Sequence, residues 1–159
     1  MSTPSAVHVH VHLAAAGSFP LRVCDLLFTD SVLVVPEYAH VTPLGIARGR
    51  VRTAGERARD CYHERGLEGL LELATHTHRI AYDGIDHVSL YDGRGARPKV
   101  AVHVDDGPPY AYRIHAPVEV DQLTEALRSL GDRRGFGVER RDGAGFSLTN
   151  SLRRFLADR

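Results

Sequence analysis

The chain of 159 residues has the length of one domain, and its 43% hydrophobic content is enough for a packed core, which argues against intrinsic disorder. Its 20 basic and 20 acidic side chains cancel, so nucleic acid or an acidic membrane would have to be bound by a local patch. There is no run of about 18 apolar residues and no positively charged segment before the first apolar run. We therefore expect a cytoplasmic protein without a membrane span or secretory signal, with peripheral membrane binding as an open alternative.

The chain begins with three predicted strands. Val7–Leu13 alternates apolar residues with histidine, which is typical of a half-buried strand. Leu21–Phe28 and Val32–Val35 are apolar runs separated by a short polar break, which favours a hairpin. Because proline cannot donate to a strand ladder, we expect Pro36 to end the third strand. Cys24 lies within the second run, and we expect it to be a small buried hydrophobe rather than half of a disulfide.

A helical insertion is predicted over residues 44–77. Several glycines weaken the first part of this segment, but Glu56–Glu64 and Leu67–Ala74 carry helical spacing. Arg65 and Gly66 between them resemble a helix stop, with Gly66 available for a left-handed cap. We interpret the segment as a helical hairpin inserted between strands.

The second half of the chain changes from a period of two to a helical period. Alternating apolar residues predict strands at Arg79–Tyr91, Lys99–Val104 and Tyr110–Ile114, and Val120–Leu130 then follows as an amphipathic helix. In the C-terminal extension 135–159, we expect a short strand at Gly137–Arg141 and a terminal helix capped by Asn150.

These elements predict an α+β fold in a single domain over residues 1–159. We expect a bent antiparallel sheet or partly open barrel of about six or seven strands, with a C-terminal capping helix and the helical insertion.

Three stretches carry a resemblance to a known family. Asp25–Asp30 is similar to an opening strand and turn of the pattern L-x-L-T-D, and Ile80–Ile85 is similar to a strand of the pattern I-x-Y-x-D-I. Val100–Leu130 is similar to a strand pair followed by a final helix. Together, over residues 20–131, they resemble the pleckstrin-homology-like family, particularly its GRAM-like and short bacterial members. The resemblance implies a curled antiparallel sheet and a role in binding lipid head groups, peptides or proteins rather than in catalysis.

The chain departs from that family at the first hairpin. The turn at Thr29–Ser31 is short and lacks the basic cluster that lipid-binding members place there. Phosphoinositide binding through this loop is therefore not implied by the resemblance, and the function is open to the inserted and terminal segments.

Histidine pairs are the first candidate site. His8, His10 and His12 alternate along one strand face, and His76 and His78 form a second pair with one residue between them. Neutral imidazole is a ligand for zinc, nickel or copper, so a site for zinc or another divalent metal arises if the two segments lie side by side. The alternative is a solvated polar face without any cofactor.

An arginine cluster in the insertion is the second candidate. Guanidinium groups suit phosphate or carboxylate, so this cluster predicts an anionic partner. The alternative is a solvated face paired with acids. Nucleic acid is disfavoured because the net charge is zero and no nucleic-acid motif is present. The candidate residues are Arg48, Arg50, Arg52, Arg57 and Arg59.

The sequence contains no Gly-x-Ser-x-Gly elbow, phosphate loop, dinucleotide fingerprint or His-Glu-x-x-His motif. We therefore predict a non-enzymatic binding or protein-interaction module whose ligand is an unknown protein or an anion. The alternatives are a metal-binding protein that uses the histidine face, and a structural protein that self-associates as a homo-oligomer through its first strand.

Overall fold

The computed structural model describes residues 5–17 and 20–143. The chain divides into two compact units, unit 1 (Met1–Arg79) and unit 2 (Ile80–Arg159). None of the helices in the described ranges is both long enough and apolar enough to cross a membrane. The helix predicted to begin at Asn150 lies outside the described residues.

Unit 1 is built on four neighbouring strands in the order β4-β3-β2-β1. They are β1 (Val7–Ala16), β2 (Leu21–Thr29), β3 (Val32–Val41) and β4 (His76–Ala81), of which β4 ends in unit 2. β1 and β3 both pair antiparallel with β2. The predicted β2–β3 hairpin is confirmed, and the Thr29 hydroxyl closes its turn by donating to the Val32 carbonyl over 2.7 Å.

The prediction that Pro36 ends the third strand is wrong, because β3 continues to Val41. Register pairs join Val34 to Leu27 and Glu37 to Cys24, and Pro36 falls between them. The ladder has no register pair at Val35 or Pro36 and resumes at Glu37, so the strand passes the proline, which has no N–H to donate, at an interruption of the pairing. The extra length of β3 places Glu37 and Tyr38 in the sheet.

The helical insertion consists of α1 (Pro43–Ala47) and α2 (Arg50–Leu73). The stop predicted at Gly66 is present as a break inside α2, where Gly66 has φ 60° and ψ −146°. Helical structure begins at Arg50 in α2, earlier than the predicted start at Glu56. The burial of residues such as Val51 and Ala58 outweighs the low helix propensity of glycine in this segment. A Cβ at Gly55 would lie 2.8 Å from the Leu13 side chain, so α2 packs closely against β1 at this position.

The core of unit 1 lies between the strands and α2. Val23, Leu27 and Leu70 are fully buried there, and Tyr38 is nearly so. Cys24 is also fully buried, which confirms its prediction as a small core residue.

Unit 2 contains four more strands and one helix among its described residues. They are β5 (Ile85–Tyr91), β6 (Lys99–Val104), β7 (Tyr110–Ile114), α3 (Val120–Arg134) and β8 (Gly137–Arg141). The strand order is β7-β6-β5-β8. β6 pairs antiparallel with both β5 and β7, but β8 pairs parallel with β5.

The α+β class is confirmed, but two features of the predicted sheet are wrong. Strands at β4 and β5 replace the single strand predicted at Arg79–Tyr91, because a 3₁₀ turn at Tyr82–Gly84 interrupts it. The described residues therefore contain eight strands rather than six or seven. Pairing is mixed rather than purely antiparallel, because α3 connects to a β8 that runs parallel to β5. The bent or barrel form and the family resemblance stay predictions.

The predicted helix at Val120–Leu130 is confirmed as α3, which contacts β5 and β8. Leu123, Leu127 and Leu130 lie on its buried face, as their spacing requires. Gly135 ends the helix in a left-handed conformation with φ 85°.

Candidate functional site

A cleft of about 370 Å³ opens in unit 1 between β3 and the first half of α2. Its walls are more apolar than polar. The lining residues are Tyr38, Ala39, His40, Val41, Arg50, Thr53, Ala54, Arg57 and Leu73. Because an α-helix turns about 100° per residue, Arg50 and Arg57 share the face of α2 that borders this cleft.

Four of the five predicted arginines divide between two faces of α2, and Arg48 lies outside that helix. Arg50 and Arg57 line the cleft, and neither forms an ion pair with another residue in the described ranges. Arg52 and Arg59 lie on another face of α2 and contact acids: Arg52 Nε is 3.6 Å from Glu56, and Arg59 Nε is 3.8 Å from Asp60. The structure therefore brings two of the five guanidinium groups to one cavity.

Arg48 follows α1, and its N–H donates to the Leu44 carbonyl at the end of that helix. Two apolar side chains of α1 are exposed next to the cleft: Leu44 is 60% exposed and Ile46 is 43% exposed. Gly45 between them contacts two cleft-lining residues, since a Cβ there would lie 2.9 Å from Val41 and 3.2 Å from Arg50. The short helix that carries the exposed apolar pair thus packs, at Gly45, against two residues of the cleft wall.

Two of the predicted histidines converge on a carboxylate elsewhere in unit 1. His10 Nε2 lies 2.7 Å from Asp25 Oδ2, and His12 Nδ1 lies 3.0 Å from the same oxygen. Asp25 is completely buried, whereas the two imidazole side chains are 22% and 26% exposed. We call these three residues the His-Asp cluster.

A β-bulge in β1 produces this convergence. The register of β1 on β2 pairs Val11 with Leu26 and Ala14 with Cys24, so His12 and Leu13 together stand opposite Asp25. Leu13 takes up the extra residue with φ 56°, a left-handed conformation that is costly for leucine. The bulge points the Leu13 N–H at Asp25 Oδ1, over 2.9 Å.

The charge of Asp25 is set by its hydrogen bonds. Burial raises the pKa of the Asp25 carboxyl, but hydrogen bonds from His10 and His12 outweigh burial and hold that pKa well below its usual range. The Tyr38 hydroxyl donates to Asp25 Oδ1 over 2.8 Å. Burial and the adjacent Asp25 carboxylate raise the pKa of Tyr38 far above its ordinary value, so the phenol keeps its proton and remains a donor.

The other predicted histidines lie apart from this cluster. His8 pairs with Asp30 at the exposed end of the β2–β3 hairpin. Strands β2 and β3 separate β1 from β4, so the two histidine segments are not side by side. His78 Nε2 instead lies 2.9 Å from Glu37 Oε1, and its ring contacts that of His76 with centroids 4.5 Å apart.

Sequence reasoning missed the carboxylate and the phenol of the site. Asp25 is one acidic residue in the otherwise apolar strand that runs through Val23 and Leu26, and such a residue needs buried partners if the strand is central. That signal was available. No sequence signal identified Tyr38, because β3 was expected to end at Pro36.

No protein-family model and no curated protein matches this chain. Among solved structures, the chain is similar to the hSac2 domain from the human phosphoinositide phosphatase Sac2. The two share 11% sequence identity with a TM-score of 0.52, and the match covers 92% of this chain and 85% of that one. At this identity the likeness concerns the fold alone.

Proposed function

We propose that this protein is a non-enzymatic binding module that docks on an anionic membrane surface through the cleft and the exposed residues of α1. The observation that carries the proposal is the position of Arg50 and Arg57 in one largely apolar cleft, where neither forms an ion pair with a carboxylate among the described residues. Guanidinium groups pair with phosphate in a bidentate manner, and the apolar wall suits the part of a lipid next to its head group.

The exposed apolar pair selects a membrane over a soluble anion. Leu44 and Ile46 lie beside the cleft and still have about half of their surface in water. Burying that remaining surface in a lipid interface is worth about 1 kcal/mol for each side chain. Each arginine near an anionic leaflet adds about 1 kcal/mol. The sum of about 4 kcal/mol describes reversible peripheral binding that weakens with salt.

Co-sedimentation with phosphatidylcholine vesicles, with and without phosphatidylserine, tests the cleft. We expect binding only to the anionic vesicles, and a loss of about 30-fold in the partition coefficient for the double variant Arg50→Gln/Arg57→Gln. The matched control is Arg52→Gln/Arg59→Gln, which removes the same charge from the opposite face of the same helix. The control should change the partition coefficient by less than about 3-fold.

A second variant tests the apolar contact. Leu44→Ser/Ile46→Ser should lower binding to anionic vesicles by about 30-fold while leaving the charge unchanged. Equal losses in the two arginine double variants would show a diffuse charge effect and overturn the cleft. Equal binding to neutral and anionic vesicles, or none to either, would overturn the membrane proposal.

The fold-level neighbour comes from a protein named as a phosphoinositide phosphatase. The resemblance of residues 20–131 to the pleckstrin-homology-like family stays a prediction, and a lipid-binding role would agree with it. Neither replaces the cleft as the support for the proposal. Self-association through β1 stays a prediction, and light scattering of the full chain with and without residues 1–14 tests it.

A further inference from the structure

We propose that the His-Asp cluster binds one divalent transition-metal ion of the zinc class, with His10 Nε2, His12 Nδ1 and Asp25 Oδ2 as its protein ligands. The three ligand atoms all lie within 4.8 Å of one another. This inference concerns a site distinct from the cleft, and it stands or falls separately from the proposed membrane docking.

The spacing of the three atoms is close to that of a metal site. Zinc binds imidazole nitrogen and carboxylate oxygen at about 2.0–2.2 Å, so neighbouring ligands of a tetrahedral ion lie about 3.3 Å apart. The two nitrogen-to-oxygen distances are 2.7 Å and 3.0 Å. The nitrogen-to-oxygen distances therefore have to lengthen by only a few tenths of an ångström to admit an ion, and the two imidazole nitrogens lie within 4.8 Å of each other.

Groups outside the three ligands already orient the carboxylate. Asp25 Oδ1 accepts from the Tyr38 hydroxyl at 2.8 Å and from the Leu13 N–H at 2.9 Å. Both donors act on Oδ1, which also lies 3.2 Å from His12 Nδ1, whereas Oδ2 is the nearer oxygen for both imidazoles. Such outer hydrogen bonds fix ligand geometry in metal sites and commonly change metal affinity by about 10–100-fold.

The backbone at Leu13 supports the same conclusion. A leucine with φ 56° costs about 1–3 kcal/mol, and such strain persists where the surrounding structure requires one geometry. Here the bulge brings a second imidazole and a backbone N–H to one carboxylate. Without the bulge, His12 would follow the regular pleat and no longer share Asp25 with Leu13.

The ligand types decide the class of ion. Two imidazoles and one carboxylate suit zinc and its neighbours, whereas magnesium and calcium prefer oxygen ligands throughout. The partial exposure of both imidazoles gives an ion and one further ligand access from solvent. A site with three protein ligands leaves a fourth position of the ion open to water or another ligand.

Titration of the protein with Co²⁺ and Zn²⁺ after purification without metal-affinity resin tests the site. We expect one equivalent of Co²⁺ to give the visible absorption of a tetrahedral or five-coordinate ion, and one equivalent of Zn²⁺ to displace it. His10→Gln/His12→Gln keeps N–H donors near Asp25 while removing both imidazoles, and it should lower affinity by at least about 100-fold. His76→Gln/His78→Gln is the matched control and should bind as the unchanged protein does.

Tyr38→Phe keeps all three ligands and tests the site even if the double variant fails to fold. It should weaken zinc binding by about 10–100-fold, since Asp25 loses one orienting donor. Absence of the Co²⁺ spectrum in the unchanged protein would overturn the proposal. So would equal zinc affinity in the His10/His12 variant, or a loss of binding confined to the His76/His78 variant, which would identify an adventitious surface site.

Discussion

Replacing the buried carboxylate of the His-Asp cluster with an amide, Asp25→Asn, should destabilise unit 1 by about 3 kcal/mol. The substitution keeps the shape of the side chain, so it leaves no cavity. The amide oxygen can still accept from Tyr38 and Leu13, but the amide nitrogen then faces the imidazoles of His10 and His12. Two charge-assisted hydrogen bonds of about 1.5–3 kcal/mol each are lost, and a change of imidazole tautomer recovers part of that free energy.

The exposed carboxylate of Asp30 provides the matched control. Asp30 also contacts a histidine of β1, His8, but its side chain is 49% exposed. Solvent screens such an exposed pair, so Asp30→Asn should destabilise unit 1 by no more than about 0.5 kcal/mol.

The thiol of Cys24 allows the effect to be measured within unit 1. Cys24 is fully buried beside Asp25, and burial raises the pKa of its thiol, so it reacts with a thiol reagent only when the strand opens. In a Cys61→Ser background, the labelling rate follows the population of the open state. Asp25→Asn should increase that rate by more than about 100-fold. Equal increases for Asp25→Asn and Asp30→Asn would refute the reasoning.

Two further predictions concern unit 2. A Cβ at Gly131 would lie 2.4 Å from the Phe136 carbonyl oxygen, so Gly131→Ala should lower the free energy of unfolding by about 1–3 kcal/mol in a thermal melt. A Cβ at Gly84 would have no atom within 4 Å beyond its chain neighbours, so Gly84→Ala should lower it by less than about 0.5 kcal/mol. Equal melting temperatures for the two variants would contradict this. Burial, followed by the Arg97 charge, lowers the pKa of His115 to about 4, so the unfolded chain takes up a proton before the folded one as pH falls from 6.5, and folding stability is lost towards pH 4. The free energy of unfolding is measured by urea titration at pH 7 and at pH 4.5. Between these two pH values, His115→Gln should lose about 2 kcal/mol less of it than the unchanged protein does. Identical losses in the two proteins would show that His115 is not the cause.

Local periodicity predicted the elements of this fold well, because side-chain spacing reports which face is buried. Lys99–Val104 and Tyr110–Ile114 were predicted with the bounds that the structure has. Periodicity does not report strand direction, so the parallel pairing of Gly137–Arg141 with β5 could not be predicted. That pairing depends on the path of the chain through α3.

For the candidate site, the sequence likewise predicted which residues share a face of one element, but not which residues of other elements they contact. Alternation placed His10 and His12 on one face, but their common partner lies on another strand, at a bulge that alternation cannot reveal. Helical spacing likewise separated Arg50 and Arg57 from Arg52 and Arg59 only once the start of α2 was known. The sequence identified the chemical groups, and tertiary structure selected among them.

Tyr38 belongs to both proposed sites. Tyr38 is one of the residues that line the cleft, and its hydroxyl donates to Asp25. A ligand that moves the ring in the cleft therefore alters the hydrogen bond that orients a ligand of the proposed metal site. Thermodynamic linkage makes such an effect reciprocal, so any factor by which a cleft ligand changes metal affinity is also the factor by which the metal changes affinity for that ligand. The residue that joins the two sites lies in the part of β3 beyond Pro36, and the continuation of that strand through a proline is what places both sites within reach of one side chain.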